Sequence, residues 1–198
     1  MKKRHILTGI SAVLVIAGVA IGGYATLQIR EMNVNSGSQV LPELTHFPAH
    51  MPATAVYASI KIRRGDYLGS ITIPALQATL PIYEGTEDAQ LKKGVGHFEG
   101  SVLPGLPDNS VLAGHRDSVF SKLGKLQVGD LLIINTSAGK FTYKISGFRI
   151  VNADDRTVIV PTKTAILTLS TCYPFRYFGN APKRYIVSAS LLPESPAI

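Results

Sequence analysis

A chain of 198 residues, 45% of them hydrophobic and only one a cysteine, can bury one good core but cannot be a disulfide-stapled scaffold. Its 20 basic and 13 acidic residues leave a net charge of +7. Beyond Lys2-Lys3-Arg4 that excess is spread out, with no clustered stripe and no recognition motif, which excludes a nucleic-acid binder and leaves general attraction to an anionic envelope.

The first element is membranous. No residue from Ile6 to Ile29 is charged, and about 24 residues rising 1.5 Å each give roughly 36 Å of helix, enough to cross a bilayer core with some tilt. Residues 6–29 are therefore expected to be a single-pass signal anchor in the cell membrane, with residues 1–5 as its positive cytoplasmic end and the rest of the chain extracellular. A cleaved signal peptide is the competing reading, because Gly23-Tyr24-Ala25 offers small residues at the cleavage spacing. The apolar stretch is longer than the roughly 7–15 residues usual for such a signal. Gly18 and Gly22 form a GxxxG spacing compatible with helix dimerisation.

Residues 30–60, with Asn33, Asn35, Ser36, Gly37 and Ser38 followed by Pro42, Pro48 and Pro52, read as an extracytoplasmic linker. His46 and His50 lie in it, but Pro48 between them prevents a shared helix face. A catalytic domain is expected over 61–198.

That domain reads as all-β. Ile71 and Ile73 alternate with Ser70 and Thr72 before Pro74, and a second strand runs near Ala78 to Tyr83. Thr86 ahead of Glu87 and Asp88 predicts an N-capped short helix to about Lys92. The glycine-rich stretch from Gly94 to Gly100 is not GxGxxG and carries no nucleotide site. A strand over 110–115 ends at His115, and a short helix is expected over 118–123. A strand at 131–134 and a return from Lys140 to Val151 form a hairpin around Asn135 to Gly139. Asp154 and Asp155 fall in a loop without the EF-hand pattern, so no metal and no cofactor are expected. Val158 to Val160 is a short extended piece, followed by the strand that carries the cysteine and a last one over 184–190. About eight short strands suit a closed β-barrel, which hides its edges.

The cysteine strand organises the rest. In Thr168-Leu169-Ser170-Thr171-Cys172 the period of two puts Cys172 with Ser170 and Thr168 on one face and the leucines on the other. Pro174 then ends the ladder, leaving the thiol at a strand mouth. The last strand alternates so that Arg184, Ile186, Ser188 and Ser190 share a face, and neighbouring strands would present Cys172 and Arg184 to one surface. Acyl transfer needs a nucleophile, a proton carrier and a positive group for the developing oxyanion. Cys172, His115 and Arg184 are those three types, Arg184 being unable to act as a base because it stays protonated. Ser170 and Thr171 are candidate substrate-binding groups that assist the oxyanion or simply pack beside the thiol.

These residues also carry a resemblance. Thr168-Leu169-Ser170-Thr171-Cys172 resembles the TLxTC signature of the sortases, Gly114-His115-Arg116 matches that family's strand-end histidine, and Arg184-Tyr185 falls where the family places its arginine. Cys172-Tyr173-Pro174-Phe175 and Ala181-Pro182-Lys183-Arg184-Tyr185 look most like the class D members. The resemblance, over Gly65 to Leu192, implies an eight-stranded sortase barrel and a membrane-anchored cysteine transpeptidase of Gram-positive bacteria. Cys172 would cleave a C-terminal Leu-Pro-x-Thr-Gly or Leu-Pro-x-Thr-Ala sorting signal after Thr through a thioester. The protein partner would then pass to an amino group of a cell-wall peptidoglycan precursor. Calcium ligands known in some members do not map onto Glu84, Glu87, Asp88 or Glu99. The tail from Leu191 to Ile198 is too short for a second membrane helix, which favours anchoring over polymerisation. A hydrolytic cysteine peptidase and a non-catalytic surface binding module are the alternatives.

Overall fold

The computed structural model of the chain describes residues 51–176, 179 and 181–193. The expected anchor, its flanking positive end and the linker as far as residue 50 lie outside them. Among the described residues no helix is long and apolar enough to cross a membrane.

The strands are β1 (Tyr67–Ile73), β2 (Ala78–Glu84), β3 (Val95–His97), β4 (Asp108–Ala113), β5 (Leu131–Thr136), β6 (Gly139–Asn152), β7 (Ala165–Tyr173) and β8 (Lys183–Leu191). They close into a barrel in the order β1-β2-β3-β4-β7-β8-β6-β5. Alternation drives the closure: Leu132 and Ile134 of β5, Tyr143 and Ile145 of β6, Leu167 and Leu169 of β7, and Val187 and Ala189 of β8 all point inward and are buried. Each large apolar side chain so placed contributes about 1.5–3 kcal/mol relative to exposure.

Two of the pairings are parallel, β2 with β3 and β4 with β7. The second matters most, because it places strands distant in sequence side by side. A plain meander cannot do this, since parallel neighbours need a crossover connection.

Four differences from the sequence expectations have physical causes. Residues 53–59, assigned to the linker, form helix α1 (Ala53–Ser59), with Val56 buried and the Tyr57 hydroxyl donating to the Pro104 carbonyl at 2.9 Å. Strand β3 takes the place of the extended piece at 158–160. Val95-Gly96-His97 is short and glycine-containing, yet a Cβ at Gly96 would come within 2.4 Å of the Gly85 carbonyl oxygen, so glycine is what lets β3 lie there. Ile159 and Val160 remain exposed, without a strand partner.

The short helix α2 (Asp88–Leu91) has Glu87, not Thr86, at its N-cap and no side-chain capping bond, the Glu87 carboxylate being engaged by Arg64. Residues 118–122 are turns rather than a helix, and Leu123 only opens a single 3-10 turn (Leu123–Lys125). Phe120 and Leu123 are both sunk in the core, and the Ser121 and Leu123 amides bond three residues back, to Ser118 and Phe120, which leaves no four-residue ladder.

Candidate active site

The register of β7 against β8 sets Cys172 directly opposite Arg184. Directly opposed residues of an antiparallel pair share a face, with Cβ atoms about 4.5–5.5 Å apart. The thiol is unpaired and half-buried. Arg184 is also half-buried, and its Nη1 donates to the carbonyls of Ala181 (3.2 Å) and Lys183 (3.0 Å), which hold the guanidinium stem at the mouth of β8.

His115 arrives from the other side of β7. The parallel register ends at Ala113 opposite Ser170, and the Gly114 amide still donates to the Ser170 carbonyl at 3.1 Å. The Thr171 hydroxyl, buried on the inner face, donates to the Gly114 carbonyl at 2.7 Å, a bond between residues 57 apart in sequence. The Phe120 amide closes the turn on the His115 carbonyl at 3.0 Å. Residue 114 is pressed so tightly that a Cβ would lie 2.6 Å from Phe120 Cδ2. Leu112 is inward, so alternation carried past β4 turns His115 to the outer face that Cys172 shares. The imidazole is 38% exposed, with Nε2 lying 3.9 Å from Asp88 Oδ1.

The three expected residues are therefore brought to the ends of three consecutive staves, Cys172 and Arg184 opposite each other on β7 and β8 and His115 two residues past the end of β4. The two lesser candidates separate. Ser170 faces outward beside Cys172 and is half-buried, whereas Thr171 points into the barrel with its hydroxyl proton committed to Gly114, a place that suits positioning rather than substrate contact. Thr168, outward like Cys172, is nevertheless buried: its hydroxyl donates to Asn109 Oδ1 at 2.8 Å, and Asn109 Nδ2 in turn donates to the Val158 carbonyl, so the 158 segment roofs that end of the face. On the opposite side of the β7 and β8 ends, Tyr185 stacks on Tyr173 (6.1 Å between ring centroids) and on Phe148 (5.8 Å) and packs against Phe175. Those rings stiffen the mouth from behind.

Several contacts could not be anticipated from spacing. Arg116 Nη2 donates to the Gly179 carbonyl at 2.9 Å, tying the histidine turn to the β7–β8 connection. The acidic residues considered as cation ligands each have a basic partner: Glu84 with His97, Glu87 and Glu99 with Arg64, and Asp88 with Lys92. A buried His97 bridges Glu84 (Nδ1 to Oε2, 2.7 Å) and the Val102 carbonyl (Nε2, 3.0 Å). Nε2 also lies 3.2 Å from the Ser101 hydroxyl, so both ring nitrogens are engaged. The parallel β2–β3 pair is stapled there, at Glu84 opposite His97.

A lone thiol set opposite a guanidinium on neighbouring strands of a closed barrel, with an imidazole just past the end of the next strand, offers the three group types that cysteine acyl transfer requires. The family model of the sortase domain matches residues 71–192, and the chain belongs to the sortase family, cysteine transpeptidases that act on sorting signals. It is 40% identical over 186 residues to Sortase D of Bacillus subtilis (strain 168), covering 88% of this chain and 93% of that one. Among solved structures it is similar to a Clostridium perfringens Sortase D5 transpeptidase (29% identity, TM-score 0.63, 73% of this chain and 91% of that one). It is also similar to Clostridium perfringens sortase C with the C-terminal cell wall sorting motif (33% identity, TM-score 0.62, 68% and 75%).

Proposed function

We propose that the chain is a membrane-anchored transpeptidase that cleaves a Leu-Pro-x-Thr-Gly or Leu-Pro-x-Thr-Ala type signal after Thr and joins the new end to an amino group of a cell-wall precursor. The observation that carries this reading is the opposition of Cys172 and Arg184 across β7 and β8, with Gly114 bonded to Ser170 and Thr171 so that His115 emerges alongside. The uncharged run from Ile6 to Ile29 supports the anchor, with the catalytic domain outside the cell.

In the first half-reaction the Cys172 thiolate forms a bond to the Thr carbonyl carbon while the bond to the following residue's nitrogen breaks. The departing amine takes a proton from the His115 imidazolium, and the Arg184 guanidinium stabilises the oxygen that is transiently negative. In the second, the acceptor amine attacks the thioester, its proton passes to His115 and sulfur leaves as thiolate. The chain ends as it began, and one amide has been exchanged for another.

The test is to incubate the enzyme with peptides that vary around the signal and isolate the acyl group on Cys172 by mass spectrometry, then add an amine. Acylation after Thr followed by amide formation is expected, with Cys172→Ala folded and inert. Acyl-enzyme that yields only acid whatever the amine concentration would identify a peptidase, and no acylation by any peptide would identify a binding module.

A further inference from the structure

The histidine's ionic neighbour does not come from any of the three catalytic staves. Asp88, the first residue of α2, lies with Oδ1 3.9 Å from His115 Nε2, within ion-pair range. The corner from which it reaches is fixed in several ways. The Gly85 amide donates to the His97 carbonyl at 2.9 Å, directly after the Glu84–His97 staple. Arg64 then grips Glu87, the residue before Asp88, and Glu99 on the far side of β3. Gly96 admits no side chain, because a Cβ would meet the Gly85 carbonyl oxygen and then Leu91 Cδ2 at 2.9 Å. A buried staple and a forked salt bridge are more bracing than a four-residue surface helix needs for itself.

We propose that Asp88 is a positioning residue for His115. Its carboxylate draws Nε2 toward α2, which leaves Nδ1 as the ring nitrogen turned to the chemistry at Cys172, and it attracts the imidazolium over the neutral ring. The inference rests on the reading of His115 as the proton carrier. Lys92, one turn on, also claims Asp88, with Nζ 2.5 Å from Oδ2, so each oxygen of the carboxylate has its own cation to face. Asp88 is held below the usual carboxylate range chiefly by the hydrogen bond from Lys92. The other charged groups at this turn are Arg116 and Asp117, which follow His115 directly, with Arg116 already bonded to Gly179.

The experiment compares Asp88→Asn, Asp88→Glu and His115→Ala with the unaltered enzyme, by steady-state transpeptidation of a sorting-signal peptide across pH and by thermal melting. Asp88→Asn is expected to lower kcat by about 1.5- to 5-fold, the range that an exposed ion pair supports. KM and the melting temperature should stay unchanged, and the alkaline limb of the rate profile should move to lower pH. Asp88→Glu is expected to restore the limb. Should His115→Ala be inactive while Asp88→Asn keeps its rate and its profile, the positioning role is wrong and the proton-carrier reading stands. Full activity in His115→Ala removes both. A fall in melting temperature in Asp88→Asn with the profile unmoved would make Asp88 a structural residue and overturn the proposal.

Discussion

Thr171→Val tests most directly how the barrel delivers its histidine. The change keeps the β-branch and nearly the volume, and deletes a single hydroxyl that donates to the Gly114 carbonyl at 2.7 Å inside the barrel. Loss of a net hydrogen bond costs about 0.5–1.5 kcal/mol, and leaving a buried carbonyl without that donor brings the total to about 1–3 kcal/mol. At roughly 3–5 °C per kcal/mol for a domain of this size, the melting temperature should fall by about 3–15 °C. The functional effect should be larger in proportion. Gly114 is the residue through which His115 is aligned with Cys172, and a misplacement of about 1 Å can cost on the order of 100-fold in rate. A drop in kcat of roughly tenfold or more with KM little changed is expected by steady-state transpeptidation, with Thr171→Ser restoring most of it. Unaltered kcat in a destabilised Thr171→Val would refute the alignment argument, and a rise in KM alone would return Thr171 to the substrate-contact role expected from sequence.

Arg184→Lys should lower kcat by on the order of 10- to 100-fold while the fold persists, since lysine keeps the charge but not the planar fork that bonds the loop carbonyls and, in the proposed reaction, is to face the substrate oxygen; near-normal turnover would exclude a geometric role. His97→Ala leaves the Glu84 carboxylate buried without its partner, at a cost of about 3–5 kcal/mol in chemical denaturation, and replacing both residues by apolar ones of similar volume should recover most of it. A loss in the double variant equal to the sum of the two single losses would mean the pair is not coupled. Burial raises the Tyr143 hydroxyl from 10.0 to about 12, so the unfolded chain gives up that proton first. Its contribution to stability is whole below about pH 10 and is lost as pH rises toward about 12. Melting curves across that window should fall more steeply than those of Tyr143→Phe.

The site was more legible than the fold around it, for a physical reason. Strand period and a terminating proline are local properties, so the facing of Cys172, the stop at Pro174 and the shared surface with Arg184 follow from alternation alone. The hairpin of β5 and β6 was equally local. What alternation does not carry is pairing at a distance. The parallel β4–β7 contact and the three-residue β3 depend on partners elsewhere, and a strand as short as Val95-Gly96-His97 has no period to detect. Val158 to Val160 shows the converse, three β-branched residues that propensity favours as strand and that no neighbour pairs. Helix α1 left a signal that composition obscured: the prolines around it suggest a linker, while Ala53, Ala55 and Ala58 after Pro52 are good helix formers with a proline at the entry. Asp88 was visible only as a first-turn acid, its nearness to His115 being a product of the corner that β2 and β3 build.

Because β8 is the last strand made and pairs with both β6 and β7, its arrival does two things in one step. It zips shut the remaining open edges of the sheet, and it delivers the guanidinium to the sulfur. A chain still emerging from its synthesis machinery holds its thiol without the guanidinium that the finished register sets opposite it, and so that pairing and the closure of the sheet are acquired together. Any truncation ahead of residue 183 forfeits both, which makes the finished barrel its own licence to act.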